Sequence, residues 1–173
     1  MTKPFMDWSR EICADLTIRL VDISDIHPGY LQALNDPDRI KYMHIGVRPK
    51  ETEESLSRYV ARSRDNPAEY LFGLFNKNEL IATSRTHDID QRAGKAHIGV
   101  LVFSNEHEGK GYATQLVQAV CDFLKDNLNI SKISAGIMAD NIASKRCFEK
   151  AGFHFHSIHP DYSDFICEIW VKS

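Results

Sequence analysis

A chain of 173 residues, 43% hydrophobic and 26% charged, is long enough to bury one sizeable core without disulfides or a metal, so one domain over 1–173 is expected. Lys and Arg number 21 against 24 Asp and Glu, a net charge of -3 with no basic block, which argues against nucleic acid or an anionic membrane as partner. Cys13, Cys121, Cys147 and Cys167 are scattered without a C-x-x-C pair, which argues against a zinc site, and Cys121 and Cys147 sit in apolar helical patterns as small core residues of a reducing, cytoplasmic compartment.

The N-terminal stretch MTKPFMDWSREICADL has no apolar run of signal-peptide length, and no later segment is long and apolar enough to span a bilayer. Alternation over Thr17 to Val21 predicts a first strand. Pro28 opens a helix carrying Leu31 and Leu34 on one face; Asp36-Pro37 breaks it, and a second short piece carries Ile40 and Met43. Thr52 caps a further helix that starts with Glu53 and Glu54 and turns Leu56, Tyr59 and Val60 inward.

After Pro67 the period changes. EYLFGLF, ELIATSRTHDI and KAHIGVLVF read as three strands of an antiparallel meander, joined by a tight turn at 76–78 and by Asp90 to Gly94. Tyr112 to Leu128 is a long amphipathic helix with Leu116, Val117, Val120, Leu124 and Leu128 inside. KISAGIMA is a strand, NIASKRCFEKAG a helix that stops at Gly152, and FHFHSI and DFICEIWV are two closing strands. The fold class is therefore mixed α/β around one central sheet.

The stretch SNEHEGKGYATQLV, Ser104 to Val117, places Gly109, Lys110 and Gly111 between a strand and the long helix. Two readings stand. The glycines are a turn chosen for geometry, or they bare backbone amides that the helix dipole aims at a phosphate. The spacing is not that of a Walker loop, and glycines deep in an antiparallel meander are not those of a Rossmann unit.

A second block, IMADNIASKRCFEKAGF, narrows the choice. Together the two resemble the GCN5-related N-acetyltransferase (GNAT) superfamily, whose [QR]-x-x-G-x-[GA] is matched by Glu106 to Gly111 and whose N-x-x-[AS]-x-x-x-[YF]-x-x-x-G-F by Asn141, Ser144, Phe148, Gly152 and Phe153. LNDPDRIKYM and GKGYAT are most similar to the branch of ribosomal-protein N-terminal and amino-sugar acetyltransferases. The resemblance implies a sheet splayed between KAHIGVLVF and KISAGIMA. Acetyl-CoA would lie in that gap, its pantetheine arm on Leu101, Val102 and Phe103. Its diphosphate would rest on Gly109, Lys110, Gly111, Tyr112 and Ala113, with Thr114 close by and Asn141, Ser144 and Phe148 on the arm's other side. No metal is implied. The partners are acetyl-CoA and an amine, and the resemblance admits a homodimer.

Two positions depart from the family pattern. Phe148 stands where many members have a tyrosine acid, so Ser144, Cys147 or water would have to give the proton. Glu106 stands where glutamine or arginine is usual, which throws weight on Lys110. His97 lies where many members carry a glutamate, on the strand face shared with Gly99 and Leu101, and is the candidate base; Ser144 is the second catalytic candidate. His87, Arg85 and Tyr42, with the loop Lys41 to Lys50 and the helix after Thr52, would form the acceptor side, while His154, His156 and His159 follow a strand face. The expected activity is direct acetyl transfer to the primary amine of a small molecule such as an amino sugar. A protein N-terminus is the alternative acceptor, and a silent acyl-CoA sensor the alternative of another class.

Overall fold

Seven stretches in which hydrophobic side chains alternate or run continuously become strands, and the described residues add an eighth at one edge of the same sheet. The computed structural model describes residues 3–43, 49–159 and 166–173. In chain order the elements are β1 (Ser9–Cys13), β2 (Leu16–Leu20), α1 (Pro28–Asn35), α2 (Pro37–Ile40), α3 (Glu53–Asp65), β3 (Tyr70–Asn76), β4 (Glu79–Asp90), β5 (Lys95–Val102), α4 (Tyr112–Leu128), β6 (Lys132–Met138), α5 (Ile142–Lys150), β7 (His154–Ile158) and β8 (Cys167–Lys172). The sheet order is β1-β2-β3-β4-β5-β6-β8-β7.

Every neighbouring pair is antiparallel except β5 and β6, which α4 connects in parallel. That one parallel pairing is brief. It runs Lys95↔Lys132, Ala96↔Ile133 and His97↔Ser134. Beyond it β5 follows β4 as far as Val102, while β6 follows β8 as far as Met138. The sheet therefore parts in its middle, as the resemblance implied.

Two apolar clusters flank the sheet, and only the first includes residues from both parted halves. On one face α4 lays Leu116, Val117, Val120, Leu124 and Leu128 against Ile18, Phe72 and Ile98, and against Ile133 and Ile137 of β6. On the other face Leu56 and Val60 of α3 and Tyr30 and Leu34 of α1 pack on Leu71, Phe75 and Phe103. Each such buried side chain contributes about 1.5–3 kcal/mol, and the cluster that contains the inner face of α4 includes residues from both sides of the gap.

Local signals place the ends. Thr52 accepts from the Ser55 N–H at 3.1 Å, capping α3, and His27 caps α1 ahead of Pro28. Lys77 and Asn78 both have positive φ, +48° and +70°, the geometry of a two-residue hairpin turn. Gly152, φ +92°, ends α5 as expected.

Three differences from expectation have simple causes. β1 was not foreseen because SREIC is an exposed edge strand whose only inward apolar contact is Ile12. The strand expected at Thr17 to Val21 sits one residue earlier, with Leu16, Ile18 and Leu20 buried; Val21 is also buried but follows the strand, its N–H on the Leu71 carbonyl at 2.9 Å. The last strand begins at Cys167; Asp164 and Phe165 of the expected strand lie outside the described residues, as do residues 44–48 of the expected acceptor loop. No helix among the described residues is long and apolar enough to cross a membrane.

Candidate active site

The gap presents unpaired backbone. Phe103 N–H donates to the Ile81 carbonyl at 3.0 Å, so alternation along β5 turns odd-numbered main-chain groups toward β4. The main-chain groups of Ile98, Val100 and Val102 face the gap. Of the three residues expected to pair a pantetheine arm, Val102 does so face, and its carbonyl accepts from Arg39 Nη1 at 3.1 Å. Leu101 and Phe103 turn their main chain to β4. The Phe103 ring is buried and stacked on Tyr30 at 4.4 Å between centroids.

At the open end of the gap the loop after β5 makes one 3₁₀ turn, Asn105–His107, and rises to α4. Gly109 and Gly111 have φ +72° and +79°, and nothing lies within 4 Å of where a Cβ would stand on either. Gly111 is the N-cap of α4 and no side chain caps it, so the first-turn N–H groups of Tyr112, Ala113 and Thr114 have no partner within the helix. Uncapped amides, a helix dipole and open space above two glycines suit a diphosphate. Lys110 is exposed beside them, with its Nζ 6.0 Å from the Tyr112 ring centre. The Thr114 hydroxyl turns to α5 and donates to Cys147 Sγ at 3.7 Å.

Glu106 is exposed, but Glu108, the carboxylate nearer the glycines, is paired. Arg39 holds it at 2.8 Å and also bonds the Asn105 side chain. Sequence offered no sign of this, because the partners come from distant elements.

On α5, Asn141 is the N-cap: its side-chain oxygen accepts from the Ser144 N–H at 3.1 Å. Phe148 is 3% exposed and meets Phe153 edge to face at 5.0 Å, so its ring belongs to the core. Phe148 is the buried residue of α5 and lies one helical turn before Gly152, which places it on the helix's inner side. Burial pushes the Cys147 thiol up, against a smaller pull from Thr114, so it is a poor proton donor at neutral pH.

The apex of the gap is the last parallel rung, His97↔Ser134. His97 Nδ1 and Ser134 Oγ are 2.7 Å apart. On its other side His97 stacks on His87, its partner across β4–β5, at 5.4 Å and 17°. His87 Nδ1 in turn lies 2.8 Å from Asp88, a residue with φ +52°. Partial burial holds the His97 imidazole below its ordinary value; His87 and His159 push the same way and Asp88 opposes them. The hydrogen bond from His87 holds the Asp88 carboxyl below the usual carboxylate range. The ring is therefore neutral at pH 7 and able to take a proton.

The same sheet face carries Gly99, and opposite it Arg85, paired at 2.6 Å with the buried Glu69. Tyr42 brings its hydroxyl 3.5 Å from the Asp140 carbonyl and carboxylate, closing the mouth between α2 and α5. His87, Arg85 and His97 are thus together on one face. Arg39, Asp88, Ser134 and Glu69 were missed by sequence reasoning; for Ser134 the signal was there, a polar residue alternating with Ile133 and Ala135.

A mostly antiparallel sheet parted at one parallel pair, with an uncapped helix N-terminus at the open end, defines an acetyltransferase-type fold. The description "Acetyltransferase (GNAT) domain" matches residues 15–154, and the chain belongs to this GNAT acetyltransferase family. A probable N-acetyltransferase, YjcK of Bacillus subtilis (strain 168), is 39% identical over 93 residues, which are 52% of this chain and 51% of that protein; the chain thus matches about half the length of that relative. Among solved structures, spermidine N-acetyltransferase from Vibrio cholerae, in complex with CoA and spermine, superposes with a TM-score of 0.77 at 20% identity over 92% of this chain and 95% of that one. The ribosomal-protein-S5-alanine acetyltransferase of Vibrio fischeri gives a TM-score of 0.75 at 19% identity, over 96% of each chain. At such identities the likeness is one of fold.

Proposed function

We propose that the chain, acting over 1–173 as one cytoplasmic domain, is an acetyl-CoA-dependent N-acetyltransferase that passes acetyl directly to a primary amine. The observation that carries this reading is that β5–β6 pairing ends at His97↔Ser134, leaving an imidazole at the apex of a backbone-lined gap. Acetyl-CoA lies along the gap, its diphosphate on the amides from Gly109 to Ala113 with Lys110 beside them. The solved neighbours crystallised with CoA support that ligand.

In the transfer the neutral amine nitrogen attacks the thioester carbonyl carbon while its proton passes to His97 Nε2. A gap-facing N–H of β5 supports the oxyanion. The C–S bond then breaks, the amide is released, and the imidazolium returns the proton to the thiolate, whose pKa of about 8.5 makes it a tolerable leaving group. Phe148 gives no proton, and Ser144 stands in reserve as a donor. The acceptor is a small amino-bearing molecule, seated on the face of Gly99, His87 and Arg85; the amines named with the structural neighbours are of that kind in part.

The test is release of free CoA thiol from acetyl-CoA across a panel of amino sugars, polyamines and N-terminal peptides. Turnover on a small amine is the expected result. Tight binding without turnover on any amine would make the chain a sensor, and turnover on peptides alone would move the acceptor to a protein N-terminus.

A further inference from the structure

Resting on the reading of His97 as base, we propose that Ser134 is its positioning residue, holding the ring in the form that leaves the lone pair on Nε2, the nitrogen proposed to take the amine proton. Among the described residues Ser134 Oγ lies between two groups: His97 Nδ1 at 2.7 Å and the Ala96 carbonyl at 3.5 Å. The carbonyl accepts and cannot donate. With the hydroxyl hydrogen turned to Ala96, Oγ accepts from Nδ1–H and the free lone pair falls on Nε2. With the hydrogen turned to Nδ1, Nε2 carries the proton and no base faces the substrate.

The first arrangement survives the reaction. When Nε2 takes the amine proton the imidazolium still donates from Nδ1 to the same oxygen, so no group reorients. The second must rotate the hydroxyl at each turnover. Ser134 is also fixed in place by the fold: it belongs to the last paired rung, so the residue that orients the ring is the one at which the strands separate. The remaining groups facing His97 are His87 and Asp88 from β4 and His159 from the segment after β7. His87 is stacked on the ring face and Asp88 is bonded to His87, so neither takes Nδ1.

Because Oγ accepts from the charged ring, removing it disfavours the imidazolium. In the full-length protein S134A is expected to lower kcat about tenfold, a part of what a general base supplies, and to move the acid limb of the rate to lower pH. Acetyl-CoA affinity and thermal midpoint stay unchanged, and S134T, which keeps the hydroxyl, restores both rate and limb. Imidazole nitrogen NMR adds a readout without turnover: the neutral ring carries its proton on Nδ1 in the wild type and loses that preference in S134A. An unmoved limb and unchanged nitrogen shifts in S134A, with H97Q inactive, would overturn the role of Ser134 alone. H97Q at the wild-type rate would remove the base and Ser134 with it.

Discussion

Arg39, in the short α2 helix, closes a 2.8 Å ion pair with Glu108 across 69 residues of chain. The same guanidinium bonds the Val102 carbonyl at the end of β5, so one side chain ties the open end of the gap to the glycine loop. Arg39→Ala leaves Glu108 as a bare negative charge beside the proposed diphosphate. The KM for acetyl-CoA should rise about tenfold, the scale of one like charge some ten ångströms away at a surface dielectric. The rise should shrink in high salt, while the acceptor KM holds. Steady-state kinetics at two salt concentrations check it.

The pH dependence follows from His97. In the proposed mechanism the neutral ring is the active form, and partial burial holds its pKa below the ordinary value of about 6.5. Activity that depends on His97 should therefore be complete at neutral pH and fall only as pH drops through that lowered value. The ratio of wild-type to H97Q kcat/KM across pH isolates this limb from titration of the amine itself. A limb above about 6.5 would mean the ring is stabilised in its charged form.

In the proposed reading Gly99 belongs to the acceptor side. It lies between His97 and Leu101 on one strand face, opposite Arg85, and a Cβ there would meet nothing within 4 Å. Gly99→Leu should fold normally and fill that space. The acceptor KM should rise, with acetyl-CoA affinity unchanged by calorimetry.

Phe148 is expected to matter for stability and not for chemistry. Its ring is 3% exposed against Phe153 in the larger core. Phe148→Ala should cost about 3–5 kcal/mol and lower the thermal midpoint by roughly 10 °C. The fraction that stays folded should keep its kcat.

How much of this was legible depended on where each signal came from. Periodicity placed α4 from Tyr112 to Leu128 and the meander of β3, β4 and β5, because burial writes directly into those patterns. Motif spacing led to the glycine loop, where Gly109 and Gly111 do adopt positive φ. What stayed hidden was contact between distant segments. Arg39 and Glu108 meet only through the fold, and Ser134 reaches His97 only because a parallel rung sets them side by side. Phe148 shows the opposite limit: its motif position pointed to the cofactor, whereas helix packing placed its ring in the core.

The central claim is that acetyl-CoA occupies the gap between β5 and β6, with its diphosphate at the start of α4. Titration calorimetry of the wild-type protein with acetyl-CoA, beside a Gly111→Ala variant, tests it most directly. Gly111 sits at φ +79° with open space around it, so the added methyl strains the backbone of the cradle without colliding with a neighbour. One molecule bound per chain in the wild type, with affinity at least tenfold weaker in the variant (about 1.4 kcal/mol), is the predicted result. No heat from the folded wild type at millimolar acetyl-CoA, or equal affinity in both proteins, would contradict it.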